Sequence, residues 1–136
     1  MKTEQRTIYI THADMKRLQS LIASMKSSRE DLKALRSELE HAHLVPQSDI
    51  PRDVVTMNSK AAIRDLGSNE TMTYTLVFPS RANVDDGKIS VLAPIGTAML
   101  GHRVGEEFEW NVPAGMVRLS VQEVLYQPEA AGHFNL

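Results

Sequence analysis

The stretch Thr71-Met72-Thr73-Tyr74-Thr75-Leu76-Val77-Phe78 decides how the rest of the chain is read, because its large apolar residues recur at every second position. A period of two is the signature of a strand with one buried face: Met72, Tyr74, Leu76 and Phe78 point one way, and the threonines and Val77 the other. Glu106 to Val112 repeats the pattern, with Phe108, Trp110 and Val112 inward and Glu107, Glu109 and Asn111 outward. In Met116 to Tyr126 the alternation Val117, Leu119, Val121 breaks and resumes on the other parity at Val124 and Tyr126. That break predicts a β-bulge near Gln122 and Glu123. Turns fall at "LGSNE" (66–70), "DDGK" (85–88) and "PAGM" (113–116), each containing glycine. Only "IGTAMLGHR" (95–103) interrupts the strands with a short helix, ended by Gly101 or Gly105.

Ahead of Asp53 the period is helical. "TIYIT" (7–11) is β-branched and aromatic enough for a short strand, and Thr11 and Asp14 have the spacing of an N-cap and an acidic third residue, which starts a helix near His12. Met15, Leu18, Ile22 and Met25 form one apolar stripe that ends at Ser27; Lys16, Arg17, Gln19 and Lys26 lie outside it. Ser28 and Asp31 repeat the cap spacing. Leu32, Leu35, Leu39 and Ala42 form a second stripe that stops before Pro46. Two helices of about four turns, each roughly 20 to 25 Å long, joined by a tight connection, are expected to pack as an antiparallel hairpin. "VPQSDIPRD" (45–53) reads as a linker. The expected architecture is α+β: residues 1–50 a short helical hairpin and linker, residues 51–136 an antiparallel β domain with one short helix.

Composition restricts function. At 136 residues with 42% hydrophobic and 24% charged residues the chain folds, as one domain or a small domain with an appendage. A formal net charge of -2, with no concentration of lysine and arginine, argues against direct nucleic-acid binding. The absence of cysteine excludes disulfides, thiolate metal sites and cysteine nucleophiles and suits a reducing compartment; with a polar N-terminus and no apolar run long enough to span a bilayer, the expectation is a cytoplasmic protein that neither enters nor crosses membranes.

Residue by residue, "DIPRDVVTMNS" (49–59), "VLAPIGTAMLG" (91–101), "RVGEEFEW" (103–110) and "LYQPEAAG" (125–132) resemble the corresponding stretches of the Rnk family, the regulators of nucleoside diphosphate kinase. That family is related to the Gre transcript-cleavage factors through the C-terminal domain. The similarity runs through most of residues 51–132, whereas the helical part matches in length and pattern only. The resemblance implies an FKBP-like C-terminal domain and an N-terminal antiparallel coiled coil. In Gre factors the C-terminal domain docks at the rim of the RNA polymerase secondary channel, and acids at the coiled-coil tip help hold a catalytic magnesium. Rnk-type proteins carry a short coiled coil and bind polymerase without promoting cleavage.

Two stretches are candidate sites on that basis. Ser28, Arg29, Glu30 and Asp31 stand where the hairpin tip would be. Glu30 and Asp31 could serve a metal, or simply face the positive end of a starting helix. Cap spacing accounts for Ser28, Glu30 and Asp31 together, and "DLKA" (31–34) has alanine where the acid-x-x-acid pattern of Gre tips has its second acid, so the reading leans to a helix start. Leu92, Ala93, Pro94, Ile95 and Gly96 form the loop that in Gre factors contacts polymerase through a polar pair followed by proline. Here only the proline is kept, so Leu92 would offer an apolar contact if exposed; alternatively Pro94 and Gly96 merely turn a strand into a helix.

Other chemistry finds little support. His41 and His43, beside Glu38 and Glu40, point to different faces of a regular helix and cannot share one ion, and His102 and His133 have no partner at metal-ligand spacing. Phe78, Phe108, Phe134, Trp110 and the three tyrosines are needed for the core and leave few to line an isomerase pocket. Ser59 and Ser90 lie in no nucleophile motif, and no glycine pattern cradles phosphate. The expectation is therefore a non-enzymatic regulator without cofactor or metal. Its partner is bacterial RNA polymerase near the secondary channel, in competition with Gre-type factors, with an effect on nucleoside diphosphate kinase more indirect than by contact. The alternative is a cleavage factor with a shortened hairpin assisting the polymerase magnesium.

Overall fold

A computed structural model describes residues 8–24, 30–112 and 115–132. The three period-two stretches form β4 (Thr71–Val77), β6 (Glu107–Val112) and β7 (Gly115–Tyr126), and two strands the alternation did not mark, β3 (Lys60–Asp65) and β5 (Lys88–Ser90), join them in one five-stranded sheet in the order β5-β4-β3-β7-β6. β3 pairs antiparallel with both β4 and β7, and β7 with β6. β5 departs from the expected antiparallel order, running parallel to β4 through Thr75↔Lys88, Leu76↔Ile89 and Val77↔Ser90. The break in β7 is real. Against β3 the register skips Gln122 between Val121 and Glu123, and skips Leu125 between Val124 and Tyr126, so the strand carries two irregularities where one was expected. The first keeps Val124 on the inward face of Val121, opposite buried Ala61, whereas the second sets Tyr126 opposite exposed Lys60, on the other face from Val124.

The N-terminal elements are β1 (Tyr9–Thr11), α1 (His12–Ser24), α2 (Glu30–Glu40) and β2 (His43–Val45). Thr11 caps α1 as its spacing suggests: its Oγ1 accepts a hydrogen bond from the Asp14 amide at 3.0 Å. The described parts of the helices run 13 and 11 residues, and α2 ends at Glu40, before Ala42 is reached. Ser28 and Arg29 lie outside the described residues, as does Met25. The supposed linker is partly structured. Its first residue, Val45, closes β2, which pairs in parallel with β1, Tyr9↔His43 to Thr11↔Val45, and a 3-10 turn follows at Gln47–Asp49. His43, Leu44 and Val45 form a strand there because β1 supplies the partner.

One hydrophobic core joins the two regions. Ile8, Ile10, Met15, Leu18, Ile22, Leu35 and Leu39 from the first fifty residues are buried with Val55, Met57, Ala61, Ile63, Leu76, Met99, Leu100, Phe108, Leu119 and Val121. The short helix α3 (Pro94–Met99) lies under this contact, and the seam runs through Gly101. Its backbone adopts φ +79°, its amide donates to Val55 O at 2.8 Å, and its carbonyl accepts from the Tyr9 amide at 3.0 Å. Only glycine combines that φ with a strand backbone lying so close.

Candidate partner-docking site

The loop from β5 into α3 is braced from several sides. The Val91 amide donates to Val77 O at 2.9 Å, tying the loop to the end of β4. Ser90 then holds the turn twice: its Oγ accepts from the Leu92 amide at 3.0 Å and its carbonyl from the Ala93 amide at 3.0 Å. Thr97 closes it from the helix side, donating its amide to Ala93 O at 2.9 Å and its Oγ1 to Val91 O at 2.5 Å. Pro94 stands at the first helical position, where its missing N–H costs nothing. Gly96 is required by space, since a Cβ there would lie 2.0 Å from Ser90 O.

The five predicted loop residues do not all reach the surface. Leu92 is 7% exposed and belongs to the core, so the apolar contact expected of it is corrected: its side chain is already occupied by the fold. Gly96 is buried as well, while Ala93 and Ile95 are half-buried and form the accessible part of the loop. Ser90, considered only as a nucleophile in the sequence, is the residue that shapes the turn. Replacing Gly96 with alanine is expected to push the Ser90 carbonyl away and release the Ala93 amide, costing about 2 kcal/mol or more. Urea denaturation, with amide exchange at Leu92 and Ala93, checks this.

At the other predicted site, Glu30 and Asp31 are the first described residues of α2. The histidines are apart in role. His41 Nδ1 lies 2.9 Å from Ser37 O, His43 sits edge-on to the Tyr9 ring at 5.4 Å, and His102, buried, stacks on Phe108 at 4.1 Å.

A buried polar network was not visible in the sequence. Asp14 Oδ2 accepts from the Met57 amide at 3.1 Å, across 43 residues. Nearby, Thr56 Oγ1 donates to Glu129 Oε1 at 2.8 Å and lies 2.8 Å from Ser59 Oγ, which also accepts from the Thr56 amide. Gln127 Nε2 donates to both Pro51 O and Val54 O, at 2.7 and 2.8 Å. Burial pushes the Asp14 carboxyl up to about 6; the Met57 amide and Arg17 oppose this, and the negative charge of Glu129 adds to it. The start of α1, the segment before β3 and the chain after β7 are thus pinned together. "TMNS" and "QPEAAG" were the available signals, but nothing local joins them to Asp14.

Comparison with known proteins follows the same division. The family model "Transcription elongation factor, GreA/GreB, C-term" matches residues 50–126, and the model "Rnk N-terminus" matches residues 6–45. The Escherichia coli (strain K12) protein "Regulator of nucleoside diphosphate kinase" is 39% identical over 132 residues, 96% of this chain and 97% of that protein. "Transcription elongation factor GreA" of Pelobacter propionicus is 31% identical over 96 residues, covering 71% of this chain and 61% of that one. Among solved structures, "Prokaryotic transcription elongation factor GreA/GreB from Nitrosomonas europaea" superposes with a TM-score of 0.73 at 38% identity, over 90% of this chain and all of that one. The chain belongs to the Rnk family of regulators of nucleoside diphosphate kinase, built on a GreA/GreB-type C-terminal region.

Proposed function

We propose that this protein is a non-enzymatic regulator that docks on bacterial RNA polymerase near its secondary channel and competes there with Gre-type factors. The observation that carries this reading is the GreA/GreB C-terminal match over residues 50–126, which contains the whole five-stranded sheet and the braced loop before α3. In this reading residues 51–136 form an FKBP-like docking domain, and Ala93 and Ile95 present its contact surface; Leu92 and Gly96 hold that surface in shape from beneath. A loop fixed by this many hydrogen bonds loses little conformational entropy on docking. The helical part acts as a short antiparallel coiled coil with Ser28 to Asp31 near its tip. Arms of about four turns, roughly 20 to 25 Å, are enough to obstruct an entrance and short for delivering acids deep inside. An influence on nucleoside diphosphate kinase then comes through transcription, without direct contact.

Binding to purified core polymerase, measured by light scattering or pull-down, with displacement of a Gre factor, tests the reading. No binding at tens of micromolar would sink it. The loop assignment has its own test in Ala93→Arg, which places a large charged side chain in the contact without disturbing the Ser90 hydrogen bonds. Polymerase affinity is expected to fall by about tenfold or more while the circular dichroism spectrum stays unchanged. A normally folded variant with undiminished affinity removes the loop from the docking surface.

A further inference from the structure

The connection from β4 to β5 carries a rigid knob on the edge of the sheet. β5 is the outermost strand on its side and runs parallel to β4, so no tight turn can join the two and residues 78–87 cross between them. The second half of this crossing is closed on itself. Asn83 and Lys88 exchange both backbone hydrogen bonds, at 2.8 and 2.9 Å. Between them the 3-10 turn Val84–Asp86 is held by the Asp86 amide donating to Asn83 O and the Gly87 amide to Val84 O, each at 3.0 Å. The Asn83 side chain caps the turn: Oδ1 accepts from the Asp85 amide at 3.1 Å and Nδ2 donates to Asp86 Oδ2 at 3.0 Å. The Thr75 amide donates to Gly87 O at 2.8 Å and fastens the whole turn to β4.

Val84 stands at the apex, 91% exposed; the next most exposed large apolar residue among the described ones, Met116, is 56% exposed. Nothing in the turn requires valine, because the closing bonds come from the backbone and from Asn83. A lone exposed valine on a loose surface needs no explanation. Here the backbone is fixed and the β-branched side chain has few rotamers, so an outward apolar group is already held where a partner's pocket would receive it. Two exposed acids follow it. Asp86 is engaged by Asn83, while Asp85 contributes only its amide to the turn.

We propose that Val84 is a second anchor of the docking surface, entering an apolar pocket rimmed by lysine or arginine on the polymerase; this rests on the polymerase reading given above. Two observations choose that occupant. Asp85 and Asp86 beside the valine match a basic rim and repel an acidic one. The knob is also continuous with the loop before α3. β5 alone lies between Gly87 and Val91, which at about 3.3 Å per residue are roughly 13 Å apart along the sheet edge. A standard docking patch of about 800 Å² per partner is roughly 30 Å across, so one patch takes in both. The loop offers only half-buried Ala93 and Ile95, whereas Val84 has nearly all of its surface left to remove from water.

The test titrates the full chain against purified core polymerase. Val84→Asp is expected to weaken binding by about tenfold or more, and Val84→Leu, which keeps an apolar group, by less than about threefold. Asp85→Lys is expected to slow association and to flatten its dependence on salt. At so exposed a position the variants are expected to keep the parent's circular dichroism and thermal midpoint. Amide exchange in the parent reads the same contact without any substitution: added polymerase should slow exchange at Asp86, Gly87 and Lys88. If the parent binds and Ala93→Arg weakens it, but Val84→Asp binds undiminished or exchange at these amides is unmoved, the knob is outside the interface and the polymerase reading stands without it. A parent that binds no polymerase at tens of micromolar overturns both. A parent dimer in sedimentation that Val84→Asp dissolves assigns the knob to a second copy of the chain and overturns the polymerase contact.

Discussion

Gly101→Ala is expected to cost about 3 kcal/mol or more of folding stability, much more than Gly105→Ala, although both glycines have positive φ, +79° and +91°. The shared part of the cost is the left-handed backbone, worth roughly 1 to 2 kcal/mol for a residue with a Cβ. The difference lies in what surrounds that Cβ. At Gly105 nothing stands within 4 Å, whereas at Gly101 the new atom would meet Ile8 Cβ at 2.6 Å and the backbone N and O of Tyr9 at 3.1 Å. Those are atoms of the chain entering β1, so relief requires β1 to move away and the Tyr9 amide to give up Gly101 O. The consequence reaches further than one contact, because Ile8 and Ile10 are buried in the core shared with α3 and the sheet. Urea midpoints of the two variants measure the difference, and faster amide exchange at Tyr9 in Gly101→Ala locates it. Equal losses for the two variants would show that β1 packs less tightly on Gly101 than its distances state.

Asp14→Asn is expected to make the protein more stable at pH 7 and to flatten its pH dependence between about pH 4 and pH 7. The carboxyl titrates near 3.8 in the unfolded chain and near 6 in the folded protein. The folded state therefore holds its proton more tightly. Its contribution to stability is fully present below the unfolded value and is lost as pH rises through the folded one. Between those limits the loss approaches about 3 kcal/mol, from a shift of roughly two units at 1.36 kcal/mol each. Asparagine keeps an oxygen for the Met57 amide and removes the buried charge beside Glu129. Asp14→Ala removes the acceptor too, and should be less stable than Asp14→Asn at every pH by about 1 to 3 kcal/mol, because a buried N–H is left without its partner. Chemical denaturation of the three proteins at several pH values supplies both comparisons. A constant gap between parent and Asp14→Asn from pH 4 to pH 7 would refute the buried, shifted carboxyl.

Strands β4 and β6, the bulged β7 and the start of α1 were legible because each is written in residues close together in the chain, whereas central β3 and parallel β5 were not marked by any alternation. Alternation between Met72 and Phe78 follows from the pleat, the change of parity after Val121 from an extra residue in the ladder, and the cap from a hydroxyl three positions before an amide. Of the candidate loop, its position ahead of α3 was legible and its surface was not. Leu92 is as apolar as an exposed contact would need to be; only the neighbouring β4 and the core beneath show that it is covered. β2 was missed for the same reason, since three residues before a proline become a strand only when β1 lies alongside.

By itself, then, the sequence determined the two periodicities, the positions of most strands and helices, and the family resemblance carried by residues 49–132. Tertiary structure alone decided that residues 8–50 and the sheet share one core, that Asp14 is a buried acid bonded to Met57, that Gly101 is the seam, and which side of the α3 loop faces outward. The physical reason is distance along the chain: local hydrogen bonds and apolar periods leave a pattern within a few residues, whereas burial, a shifted pKa and a close backbone contact depend on partners tens of residues away.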